Sequence, residues 1–110
     1  MYSTADRYEI AAQEDRSAPR VDLHIPAQLR ISGQNKFPTV VSDLSLGGFC
    51  AVAIGRIHPG TVCWLTLPGL EAMMAEVIWW EGSKVGCAFN QLLGPIVYDN
   101  LMERWQGQVR

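Results

Sequence analysis

Val21-Asp22-Leu23-His24-Ile25-Pro26-Ala27-Gln28-Leu29-Arg30-Ile31 is the stretch from which the fold follows. Its odd positions, Val21, Leu23, Ile25, Ala27, Leu29 and Ile31, are all apolar, while the even ones are Asp22, His24, Pro26, Gln28 and Arg30. Successive side chains of a strand point to opposite faces, so this strict period of two predicts a strand with one face buried and the other in water. Pro26 falls on the outward face and has no N–H to give a ladder, which places it at an edge or a bulge.

Downstream, Ser32-Gly33-Gln34-Asn35 is turn chemistry, and a second strand over 37–41 leads directly into Asp43. The strand pattern resumes over 49–54, breaks at Pro59-Gly60, returns over 61–67 and breaks again at Pro68-Gly69. An almost wholly apolar strand over 73–80 follows. Glu81-Gly82-Ser83-Lys84 joins it to a last strand over 85–89, with the pairing across this connection left open by the sequence. Trp79 and Trp80 are adjacent and must face opposite sides of their strand, so one of them is free to pack under the helix or meet a partner. From Gly94-Pro95 the rhythm changes: Tyr98, Leu101, Met102 and Trp105 recur at helical spacing, with Pro95 near the helix start. Six short strands and one closing helix predict a mainly β protein, an antiparallel barrel or sandwich with the helix over one opening or face.

Upstream, Tyr2, Tyr8 and Ile10 are scattered among Ser, Thr, Gln and charges, which predicts a flexible leader over 1–13, a domain over 14–106 and a tail over 107–110. The 110 residues allow one core, and 48% hydrophobic against 18% charged residues predicts a folded chain. Nine Lys and Arg against eleven Asp and Glu give a net charge of −2, so no general positive field would draw the chain to nucleic acid. Seven of those nine cations are Arg, whose planar fork suits phosphates and guanine edges, so any anion site is local. Cys50, Cys63 and Cys87 are odd in number and lack Cys-x-x-Cys spacing, which predicts core thiols in a reducing cytoplasm and no zinc site. No signal core is seen, and no window nears the roughly 20 apolar residues that span a bilayer, so neither secretion nor membrane insertion is expected.

Two short clusters carry chemistry. In Arg16-Ser17-Ala18-Pro19-Arg20 the proline makes a bent loop, and each guanidinium can grip a phosphate or the O6/N7 edge of guanine, or stack on a purine. The plain alternative is a pair of solvated arginines beside Asp15 and Asp22. In Asp43-Leu44-Ser45-Leu46-Gly47-Gly48 a carboxylate and a hydroxyl stand two apart on one side of the chain, followed by glycines that permit close approach or positive φ. Asp43 can accept from the N1 and N2 donors of guanine, and Ser45 can donate or accept. The alternative is an Asx or Ser turn that orders a strand junction. His24 and His58 are isolated and read as surface or structural residues, with no metal ligands converging on them.

With both clusters in hand, the chain resembles the PilZ family, marked by an Arg-x-x-x-Arg loop before the first strand and a later Asp/Asn-x-Ser-x-x-Gly segment. Arg16 and Arg20 match the first, Asp43, Ser45 and Gly48 the second, and Val85-Gly86-Cys87-Ala88-Phe89 looks like the glycine-containing last strand. The resemblance covers roughly 14–105 and implies a six-stranded antiparallel barrel with a short C-terminal helix. It also implies cyclic di-GMP, a bacterial second messenger, as ligand, with Arg16 and Arg20 on phosphates and guanine edges and Asp43, Ser45, Gly47 and Gly48 cradling a guanine. The expected function is capture rather than catalysis, with no cofactor: the arginine loop changes conformation on binding and signals to a partner protein. The runner-up is a nucleotide-independent PilZ-like adaptor in pilus or flagellar control. Many relatives carry a further arginine where this chain has Asp15, so one nucleotide per protomer is expected. A phosphodiesterase is disfavoured, since clustered metal ligands and a nucleophile–base pair are both missing from the sequence.

Overall fold

A computed structural model describes residues 23–106. Its elements are β1 (Ile25–Ile31), β2 (Phe37–Leu44), β3 (Gly48–Val52), β4 (Val62–Thr66), β5 (Met73–Glu81), β6 (Lys84–Phe89) and α1 (Pro95–Trp105). The strands close into a barrel in the order β1-β2-β3-β6-β5-β4, every neighbouring pair antiparallel. The predicted β-barrel with its closing helix is what the chain forms.

Alternation on β1 is as the sequence requires, with Ile25, Ala27, Leu29 and Ile31 inside. Asp22 and Val21, expected to begin this strand, lie outside the described residues, and Leu23 makes only an isolated bridge to Gln106. Pro26 pairs with Val40 on β2, while the pairing of β1 with β4 begins only at Gln28. Its missing N–H therefore faces a local gap in the ladder, the edge that proline needs even in a closed barrel. Pro38 sits likewise, paired with Gln28 before β2 meets β3 at Val41.

The register sorts the connections between two ends of the barrel. One end, here the loop end, holds the β1–β2, β3–β4 and β5–β6 connections. The other, the helix end, holds the entry to β1, the β2–β3 and β4–β5 connections and the path to α1. Because β3 and β4 stand across the ring from each other, residues 53–61 must cross the loop-end opening, and Ile57 drops into it at 7% exposure. The Ala53 N–H donates to the Ser83 carbonyl at 2.8 Å and the Gly60 N–H to that of Val77 at 2.7 Å, fixing the crossing. β5 and β6 are joined by Gly82 and Ser83 between the paired Glu81 and Lys84, and Gly82 has a φ of 62°, which a two-residue hairpin loop demands of its first residue.

Phe49 and Phe89 meet inside with ring centroids 5.3 Å apart and planes tilted by 42°, a favourable aromatic geometry. Cys63 and Cys87 are core thiols as predicted, sulfurs 3.8 Å apart, and their contact together with burial pushes the Cys87 thiol up. Helix α1 starts on Pro95, where a missing N–H costs nothing, and places Arg104 in its last turn, where a cation suits the dipole. Leu101 is its buried residue, with Val97, Tyr98, Met102 and Trp105 packed against the core beside it.

Candidate functional site

The strand pattern alone misplaces two residues, and the reason is the same for both. On β2 the inward positions run Thr39, Val41 and then Leu44, because the register shifts between Val41 and Asp43 and Ser42 becomes an extra residue. Such a bulge reverses the alternation downstream of it. Asp43, inward if the period of two continued from Val41, faces solvent instead, and Leu44 is buried at 2% exposure. The strand expected to end at Val41 thereby continues to Leu44, so Asp43 lies within a strand rather than after it. On β5 the register shifts between Val77 and Trp79, with the same consequence: Trp80 packs on the core and Trp79 is turned outward.

These two bulges bring Asp43 and Trp79 into one lateral row. Asp43 pairs with Cys50 on β3, Cys50 with Gly86 on β6, and Gly86 with Trp79 on β5. Three strand spacings separate the row's ends, about 14 Å of backbone. Its middle is low, because Cys50 is small and Gly86 has no side chain. A Cβ on Gly86 would lie 2.2 Å from Trp79 Cε2 and 2.3 Å from Nε1, so the indole is laid directly across this glycine. Only glycine admits that approach. The result is a shallow outer floor whose Gly86 side is covered by the indole and whose other side carries a carboxylate.

Cys50 sits in this floor at 7% exposure. Burial pushes its thiol up, against the opposing effects of a Ser42 hydrogen bond and the Lys84 charge, and Asp43 adds to the rise. A thiol so held is protonated at neutral pH and is no nucleophile.

Ser45 does not share Asp43's side of the chain. It is buried at 6% exposure, and its hydroxyl is folded into the β2–β3 turn. The Gly48 N–H donates to Ser45 Oγ at 3.1 Å, that hydroxyl donates to the Gly48 carbonyl at 3.3 Å, and the Ser45 N–H donates to the same carbonyl at 2.9 Å. Of the two readings open to Ser45, the turn former is the one seen. Gly47 and Gly48 are buried, and neither uses positive φ. Their neighbourhood is stitched to the path into α1: the Phe89 N–H donates to the Gly47 carbonyl at 2.9 Å and the Leu93 N–H to that of Leu46 at 2.8 Å.

Arg16 and Arg20 lie outside the described residues. Ile25 pairs with Val41, which puts the entry to β1 at the helix end, next to the bulge that turns Asp43 outward. Arg20 precedes Ile25 by five residues, a reach of at most about 17 Å. His24 and His58 are exposed, and among the described residues no group of three His, Cys, Asp or Glu could hold a metal. No described helix is long and apolar enough to cross a membrane.

The bulges are what sequence reading missed. Bulges leave no mark in a hydrophobic pattern except a lost phase, and Trp79-Trp80 is apolar in either phase. Comparison with family models matches residues 14–99 to the one described as PilZ domain. No curated protein matches the chain.

Proposed function

The chain belongs to the PilZ domain family, binding and adaptor domains known for cyclic di-GMP, and on that premise we propose that it is a cyclic di-GMP receptor acting in the cytoplasm. The observation that carries the reading is the outward row of Asp43, Cys50, Gly86 and Trp79 beside the entry to β1. Asp43 accepts hydrogen bonds from the N1 and N2 donors of a guanine, a pattern adenine does not offer. Arg16 and Arg20, arriving over the helix end, take phosphate oxygens and guanine O6/N7 edges in their planar forks. Trp79, laid across Gly86, offers the outer face of its indole to a purine beside Asp43. Ser45 acts by holding the turn that presents Asp43, while Gly47 and Gly48 contribute backbone.

The mechanism is capture without turnover. The arginine loop closes on the nucleotide, and the altered surface is read by a partner protein. Asp15, next to Arg16, repels a second nucleotide, giving one per protomer.

Titration calorimetry on the full chain tests the reading. Wild type should bind one cyclic di-GMP per protomer. Arg16→Ala, Arg20→Ala and Asp43→Ala should each lose about 1.5–3 kcal/mol, roughly ten- to hundredfold in Kd, the worth of a charge-assisted hydrogen bond. A flat wild-type isotherm would leave the nucleotide-independent adaptor.

A further inference from the structure

Among the described residues the two ends of the barrel carry opposite charge. Among the described residues the exposed charged groups at the loop end are Arg30, Lys36, Arg56 and Lys84, with Glu81 alone opposing them. At the helix end Asp43, Glu71, Asp99 and Glu103 are exposed, and Arg104 alone opposes them among the described residues.

Each end also exposes large apolar side chains. Ile54 is 92% exposed on the loop that crosses the opening, with Val52 beside it at 38%, and Leu92 and Ile96 at the start of α1 are 63% and 77% exposed. The cations flank the first pair: Arg56 is two residues from Ile54, and Lys84 pairs with Val52. The acids flank the second. Ile96, Asp99 and Glu103 fall on one stripe of the helix by their three- and seven-residue spacing.

From this complementarity we infer that a second copy of the chain docks head to tail, the Ile54 prong of one protomer on the Leu92–Ile96 surface of the next. Joining like ends would set cations against cations or acids against acids. Joining unlike ends pairs both charge and apolar area. Such a contact uses a different patch on each partner, so every copy keeps one free end, and association continues into a short open series rather than stopping at a dimer. A bilayer would engage the loop end alone and leave the acidic helix end, with exposed Leu92 and Ile96, unmatched.

Sedimentation velocity on the nucleotide-free full chain tests the inference. Wild type should gain average mass as concentration rises, and molar salt should remove the gain. Ile54→Asp and Ile96→Lys, both at solvent-exposed positions, should each abolish it while circular dichroism stays unchanged. An equimolar mixture of the two variants should recover a species of two protomers and no larger one, because each retains the end that the other lacks. A wild-type mass that never rises overturns the inference. So does mass gain that survives either substitution, which would mark a contact between like ends. Wild-type binding to phosphatidylserine vesicles, lost in Ile54→Asp and unaccompanied by self-association, would assign the prong to a lipid surface and also overturn it.

Discussion

Two walls of one barrel, β3–β6 and β1–β4, are alike inside and unlike outside. Inside, both are filled by large apolar side chains, Phe49 and Phe89 on one and Leu29 and Leu65 on the other, all at 1% exposure or less. Outside, β3 and β6 present Gly48, Cys50, Gly86 and Ala88, small and buried, whereas β1 and β4 present Gln28, Arg30 and Trp64. The Arg30 guanidinium lies 4.0 Å from the Trp64 ring centroid, so the second wall satisfies its own outer face with a cation–π contact. The first is built of small residues and is covered from the side, with the Trp79 indole of β5 laid over Gly86. The inner faces are filled alike, while the outer faces are finished in different ways.

The strongest way to break this comparison is from inside. Phe49→Ala should lose about 3–5 kcal/mol of unfolding free energy and Leu65→Ala about 2–5, read from urea melts. If the two losses fell in different classes, the inner faces would not be equivalent and the contrast would not belong to the exterior alone.

The next effect sharpens the contrast at the β3–β6 wall. Gly86→Ala forces a methyl into the indole of Trp79 and should cost about 1–3 kcal/mol, with Trp79 emission moving as the ring lifts into water. Adding Trp79→Ala should return most of that stability, because the clash then has no partner. A Gly86→Ala variant as stable as wild type would show that the ring is not bound to the glycine.

Smaller still is Ser45→Ala, which removes the hydroxyl that both accepts from and donates to Gly48; it should cost about 1 kcal/mol and speed exchange of the Gly48 amide. The smallest effect belongs to the filled wall. Arg30→Ala should cost about 0.5–1 kcal/mol in stability and leave cyclic di-GMP affinity unchanged, the reverse of Asp43→Ala.

Much of the fold was legible because it is local. Ile25, Ala27, Leu29 and Ile31 show their burial by alternation, Gly82-Ser83 its hairpin by composition, and Pro95 the helix by its place before Tyr98 and Leu101. The candidate site was legible as residue types, with Asp43 and Ser45 singled out together. Their separate fates were not, since Ser45 enters the turn and Asp43 the outer face only after Ser42 bulges.

By itself, then, the sequence settled which residues of β1 are inside, how many strands there are, where the helix begins and which polar groups are candidates for a ligand. Only the tertiary structure decided that Asp43 and Trp79 share a row across four strands, with the indole resting on Gly86 between them. The physical reason is range. Alternation is read within one strand, but a bulge and a register are fixed by pairing with a partner distant in the chain, and a shift of one residue turns every later side chain to the other face.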